Sequence, residues 1–94
     1  MAAEITRQRD ALGGRFAVTD GGAEQGYLTY VLQDGVMVIE HTVVAPRFQG
    51  QGIAGRLVEE TARYAREEGL KVRPLCSYAA RVMSRDPKFQ DLLA

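Results

Sequence analysis

The spacing of apolar side chains changes character midway along the chain. In the first half, Arg15-Phe16-Ala17-Val18-Thr19 lies between Gly13-Gly14 and Asp20-Gly21-Gly22 and follows the two-residue period of a half-buried strand. The segment from Ile5 to Arg9 is placed to pair with it across Gly13-Gly14. Gly26 to Leu32 and Val36 to Val44 are two further β-rich runs, separated by Asp34-Gly35. An Asp-Gly step between such runs is the strongest short-range hairpin signal. Apolar residues at neighbouring positions in the second run predict a central strand covered on both faces, and Pro46 ends it.

From Ile53 the period becomes 3.6. Ile53, Leu57, Thr61 and Ala65 form one helical row, with Ala54, Val58 and Ala62 beside it. Gly69 supplies the helix stop. Lys71 to Cys76 then reads as a short strand. Tyr78 to Arg85 and Lys88 to Leu93 read as short helices, with Pro87 near the start of the second. This order predicts an α+β fold with an α/β-like core. Its sheet is mixed and mostly antiparallel, with one right-handed parallel strand–helix–strand crossover.

Length and charge narrow the picture. The 94 residues suit a single domain spanning 1–94. Twelve basic residues balance twelve acidic ones, so bulk charge offers nothing to nucleic acid or to a membrane surface. No apolar run nears the ~20 residues of a membrane span. The opening MAAEITRQRD has no apolar stretch of the signal-peptide kind, which leads to a cytoplasmic expectation. One cysteine and one histidine leave no internal disulfide and no zinc ligand set.

The chemistry concentrates after Pro46. A strand, a glycine turn and a helix in succession make an anion site, because the first helical N–H groups lack intrahelical partners and glycine admits close approach. A diphosphate is the natural occupant. Gly50-Gln51-Gly52-Ile53-Ala54-Gly55 satisfies the dinucleotide pattern G-x-G-x-x-G literally. That pattern expects an acidic residue about 20 positions on. Leu70-Lys71-Val72-Arg73 stands there instead. A P-loop is excluded because no Gly-Lys-Ser/Thr follows.

Arg47-Phe48-Gln49-Gly50-Gln51-Gly52 matches the Gln/Arg-x-x-Gly-x-Gly/Ala signature of the GNAT superfamily of N-acyltransferases, and the flanking His41 to Pro46 and Ile53 to Val58 resemble it too. Arg73-Pro74-Leu75-Cys76-Ser77-Tyr78 and Arg85-Asp86-Pro87 resemble a minimal branch of about a hundred residues with a Pro-x-Cys-Ser-Tyr segment. The likeness runs from residue 15 to 93. It implies a GNAT-like fold that uses acetyl-CoA as co-substrate. Main-chain amides of Gln49, Gly50, Gln51, Gly52, Ile53 and Ala54, with Arg47 alongside, would hold the coenzyme A diphosphate. Val43 and Val44 would pair through their main chains with the pantetheine, where their strand parts from the next. The activity implied is acetyl transfer to an amine, on a small molecule or on a protein or peptide lysine. The alternative is a noncatalytic coenzyme A-binding or adaptor module; on either reading the chain is a monomer or a homodimer. Val82 departs from the branch, which carries a larger side chain there. The two-helix insertion that usually shapes the acceptor site has no room.

A thioester's amine acceptor must be deprotonated, so a base is useful near neutral pH. Glu40, His41 and Cys76 are the candidates. Strand alternation sends Glu40 and His41 to opposite faces. His41 suits general-base work, or is a core histidine bonded to backbone. Glu40 is a base or a solvated strand residue. Cys76 is an acyl acceptor with its thiol activated by His41, or a small apolar lining of the pocket. Arg7, Arg9 and Arg15 border an acceptor groove or are plain surface.

Overall fold

The computed structural model describes residues 4–94. Residues 1–3, part of the stretch read for a signal peptide, lie outside the described residues. Among these, five strands form one sheet: β1 Glu4–Arg9, β2 Gly13–Asp20, β3 Ala23–Gln33, β4 Val36–Val44 and β5 Lys71–Pro74. The strands lie in chain order, β1 to β4 antiparallel and β5 parallel to β4. Helix α1, Ile53–Glu68, joins β4 to β5, and α2, Ser77–Arg85, follows β5. The mixed sheet with its single parallel pair is the architecture the patterning predicts. No described helix is long and apolar enough to cross a membrane.

Local chemistry explains the main elements. Asp34 and Gly35 both take positive φ, 51° and 79°, the turn geometry whose twist suits a two-residue hairpin. The sheet then presents Phe16, Val18, Leu28, Tyr30, Met37 and Ile39 on one face, where the apolar rows of α1 cover them. Ala79 and Met83 of α2 join the same cluster. Each large side chain buried there contributes about 1.5–3 kcal/mol. Thr61 is the polar member of the α1 row; its hydroxyl donates to the Leu57 carbonyl at 2.8 Å, so its burial leaves no hydroxyl unpaired. Gly69 ends α1 in the left-handed region, and Leu70 N–H closes the turn on Ala65 C=O at 2.8 Å.

Three expectations are corrected. The helices cover one face of β4, not two, although Val38 on the other face is still buried among its sheet neighbours. The last strand stops at Pro74, and Cys76 becomes the residue capping α2. Lys88 to Leu93 forms no helix beyond the 3-10 turn Pro87–Phe89. Six residues are too few to recover the cost of helix nucleation. The edge of β5 offers better partners: Val72 N–H donates to Leu92 C=O at 2.8 Å and Ala94 N–H to Val72 C=O at 3.0 Å.

One irregularity sets the geometry of everything downstream. Opposite β3, His41 pairs with Thr29 but Ile39 pairs with Tyr30, so Glu40 is an extra residue, a β-bulge. Before it, Met37 and Ile39 face the helices; after it, Thr42 and Val44 do, each opposite a core-facing residue of β3.

Candidate functional site

The turn between β4 and α1 is built from a 3-10 turn, Pro46–Phe48, then Gln49 in extended conformation, then Gly50 and Gly52 at φ 84° and 79°. Only glycine adopts this conformation without strain, and a Cβ added at either position meets no atom within 4 Å. The glycines are therefore not packed against anything; they face open space. Gly52 caps α1 with no side-chain bond, and no acidic residue stands in the first turn. The first helical hydrogen bond is Arg56 N–H to Gly52 C=O at 3.1 Å. Among the described residues, the N–H groups of Gly50 through Gly55 have no backbone or side-chain acceptor. Six main-chain donors at the positive end of a sixteen-residue helix make an anion site.

Beside the turn the sheet opens. β5 pairs with β4 only from Val36 to Ile39. Past Pro74 the chain turns away, and both Leu75 and Cys76 N–H converge on the Ile39 carbonyl, at 3.0 and 3.3 Å. Among the described residues, no strand therefore pairs with residues 40–44 of β4 on that side. Ala45 N–H donates to Gln25 C=O at 2.9 Å, so by strand alternation the polar groups of Val43 also turn toward β3. Those of Thr42 and Val44 turn into the gap. Val44 C=O there accepts the Gln49 side-chain amide at 3.3 Å. A cleft of ≈ 380 Å³ joins gap and turn, lined by Thr42, Val44, Phe48, Gln49, Ile53 and Tyr78 among others. A larger groove of ≈ 820 Å³ runs along the outer side of α1, but its walls are occupied by ion pairs such as Lys88–Glu59 and Arg63–Glu67.

The turn and its unengaged donors thus open onto a parted pair of parallel strands. The sequence from residue 15 to 92 matches the family model described as GCN5-related N-acetyl-transferase. The chain belongs to that family. No curated protein matches it by sequence. A GCN5-like protein of Staphylococcus aureus, solved by NMR, is 27% identical with a TM-score of 0.75, over 97% of this chain and 87% of that one. The ribosomal-protein-alanine N-acetyltransferase of Brucella melitensis shares the fold at 17% identity and a TM-score of 0.70, over 81% of this chain and 62% of that one. AAC(6')-Iy, solved with a bisubstrate analogue containing CoA, shares it at 17% identity and 0.61, over 80% and 60%. The present chain thus spans about three fifths of these last two proteins.

Within this GCN5-related fold the candidate side chains separate. Gln49, Gly50, Gln51, Gly52, Ile53 and Ala54 all lie on the turn or the first turn of α1. Arg47 is exposed on the 3-10 turn, its guanidinium 4.8 Å from the Phe48 ring centre. Val44 faces the gap as expected. Val43 does not: its main chain is turned to β3, its side chain is 41% exposed, and Thr42 takes its place at the gap.

The bulge also moves the candidate bases. Glu40 and His41 are both exposed rather than divided between faces by alternation. His41 is on the face away from the helices, so it is not a core histidine. Cys76 packs against the core on the other side of the sheet. Burial pushes its thiol up, but the Ala79 N–H, the Thr42 hydroxyl, the Tyr78 N–H and the Thr42 N–H outweigh burial and hold it below the ordinary thiol value. These neutral donors, not His41, are its dominant partners. Tyr78 is half-buried and lines the cleft, with its hydroxyl 3.9 Å from the Cβ position of Gly55.

The arginines are structural. Arg9 donates to the Tyr64 hydroxyl at 2.7 Å, Arg7 lies 4.3 Å over the Tyr64 ring, and Arg15 forms a two-pronged pair with Glu24 at 2.7 Å. Among the described residues, β1 and β2 are joined by Asp10–Leu12 alone, with no helix between them.

Proposed function

We propose that this chain binds acetyl-CoA in the turn and gap and transfers the acetyl group to an amine, as a member of the minimal branch carrying a Pro-x-Cys-Ser-Tyr segment. One observation supports this most: six unengaged main-chain donors stand beside a strand whose inner edge has lost its neighbour. The diphosphate takes the donors of residues 50–54, with Arg47 adding charge from the rim; the Gln49 N–H is already spent on Pro46 C=O at 3.3 Å. The pantetheine amides take the main-chain groups of Val44, and the same strand supplies an N–H to polarise the thioester carbonyl. A preorganised donor of this kind is worth roughly 3 kcal/mol.

The amine nitrogen then bonds to the carbonyl carbon, the carbon–sulfur bond breaks, and the amine's proton passes to a base while coenzyme A leaves as thiolate. His41 and Glu40, exposed near the outward mouth of the gap, are the bases in reach of an acceptor arriving from that side. The variant route places the acetyl first on the Cys76 sulfur as coenzyme A leaves, using a thiol held below its ordinary value. Single-turnover mass spectrometry with acetyl-CoA separates the two: an acetyl adduct on Cys76 that decays on adding amine marks the covalent route. A Cys76→Ser variant that transfers at the wild-type rate marks direct attack.

A second reading has its own observation. The three-residue link between β1 and β2 leaves the acceptor side without walls, which suits a noncatalytic coenzyme A-binding module. Titration calorimetry with coenzyme A tests what both readings share, and saturable binding is expected. An acetyl-transfer screen over amines, polyamines and lysine peptides then divides them; tight binding with no turnover on any acceptor favours the module.

A further inference from the structure

Among the described residues, three large apolar side chains are exposed: Leu12, Val43 and Leu75. Leu12 lies in the link between β1 and β2. The other two border the gap, one from each side. Val43 belongs to the stretch of β4 that β5 leaves unpaired, and 41% of its surface is open. Leu75 follows β5 with its N–H on Ile39 C=O at 3.0 Å, and 66% of its surface is open. Strand alternation turns both away from the helices. Val43 lies between Thr42 and Val44, which face the helices, and Val72 is in the core while Lys71, Arg73 and Leu75 are exposed.

Glu40 and His41, both exposed, stand between them. Glu40 follows Ile39, whose carbonyl holds Leu75, and His41 precedes Val43 by two residues, roughly 6.6 Å along one strand face. A carboxylate and an imidazole are thus set between two apolar ends. The surroundings limit what fits this strip. Opposite Val43 on β3, Tyr27 has the Arg15 guanidinium 4.4 Å over its ring, and Arg15 is already paired with Glu24. Arg73 brings a positive charge two residues before Leu75. One carboxylate with an arginine nearby suits a single ammonium and works against a chain of them, since each further cation meets a like charge. The two apolar ends suit the hydrocarbon part of the same molecule.

We infer that the outward mouth of the gap selects a primary monoamine with an apolar body, the ammonium drawn by Glu40 and the body laid on Val43 and Leu75. That such an amine is the acetyl acceptor rests on the function proposed above. Its recognition does not, because the strip holds an amine whether or not transfer follows.

With acetyl-CoA and the full chain, n-hexylamine should be acetylated with a kcat/KM about tenfold above that of n-propylamine, because each half-buried methylene adds to binding. Spermidine should fall below n-hexylamine. Val43→Thr, which keeps the side-chain shape, and Leu75→Ser should each cut the hexylamine preference about threefold to fivefold, chiefly through KM, with coenzyme A affinity unchanged. Leu12→Ser, at the third exposed apolar side chain, should change neither. All three positions are exposed, so the variants test recognition rather than folding. A rate independent of chain length, a preference for spermidine, or an equal loss in Leu12→Ser overturns the inference. Binding is read apart from turnover by NMR of the His41 ring, the chain's one imidazole, as n-hexylamine is added to the coenzyme A-loaded protein. Saturable shifts without turnover would count against the proposed transfer and leave the recognition standing. Turnover of other amines without such shifts would overturn the recognition and leave the transfer, and the absence of both would overturn both.

Discussion

The two α-helices begin differently, although neither N-terminus carries an oxygen side chain as its cap: Gly52 precedes α1 and Cys76 precedes α2. At α1 the first donors meet no acceptor among the described residues. At α2 the N–H groups of Tyr78 and Ala79 help hold the Cys76 thiol below its ordinary value. The 3-10 turn that follows starts the ordinary way, with Asp86 accepting from Lys88 N–H at 3.1 Å. A helix start without a cap would usually be a loss of about 1 kcal/mol. Here the absent cap is informative, because it keeps donors available to something other than the fold.

The most forceful way to break this comparison is to satisfy the α1 donors from within. Ala54 is the second residue of the helix. Glutamate there interacts favourably with the helix dipole, by about 0.3–1 kcal/mol. It also sets a carboxylate where the diphosphate is proposed to lie. Ala54→Glu should hold or raise the melting temperature while coenzyme A affinity falls about 100-fold, or roughly 2.7 kcal/mol. Calorimetry beside a thermal melt checks both. Unchanged affinity would remove the turn as the anion site.

A gentler cut uses two glycines with the same backbone and different settings. Gly52 and Gly35 both lie at φ 79° with open space at the Cβ position. Alanine at either should cost about 1 kcal/mol from the strained φ alone. Only Gly52→Ala should also weaken coenzyme A binding, by about tenfold, because its methyl points into the approach of the anion. Equal affinities in the two variants would show that the open space at Gly52 serves the turn and not a ligand.

The contrast between turn and gap also marks how far the amino-acid pattern carries. Asp34-Gly35, the 3.6 period from Ile53 and the stop at Gly69 act over a few residues, so the hairpin and α1 could be read directly. The glycine turn was legible for the same reason. The bulge at Glu40 was not, since no glycine or proline marks it and one extra residue reverses the facing of all that follows. That single slip misjudged the facing of Glu40 and His41 and hid Thr42, whereas Val43 was expected from the family resemblance and not from the strand pattern. Threonine is also an ordinary strand former, so nothing but the missing partner of its hydroxyl sets Thr42 apart. The Lys88 to Leu93 stretch failed in another way: its helical pattern lost to backbone partners on β5 that only the tertiary fold supplies.

Asp86 offers the ordinary cap as a control. Asp86→Ala removes the bond to Lys88 N–H and the 3.7 Å contact with the Lys88 ammonium, both at the surface. The expected cost is about 0.5–1 kcal/mol by denaturant titration. Coenzyme A affinity should be untouched. If it moved, the helix starts would not be independent, and the reading of each as a separate device would fail.

The smallest signal belongs to Cys76, because burial and the surrounding donors oppose each other at its sulfur. The net effect lowers the folded thiol's pKa relative to the unfolded chain, so the folded state binds fewer protons in that range. Stability from this source is present in full above the unfolded thiol's ordinary ~8.5 and fades as pH falls through the folded midpoint. The stability difference between wild type and Cys76→Ala should therefore widen as pH rises from 7 to about 9.5. Denaturant titrations at paired pH values measure it, with Thr42→Val/Cys76→Ala as the reference for Thr42→Val. In the Thr42→Val background the widening should shrink, since one of the donors opposing burial is gone. A gap that stays constant with pH would mean that the thiolate gains nothing from the start of α2, and the two helices would then differ only in whether a ligand is expected.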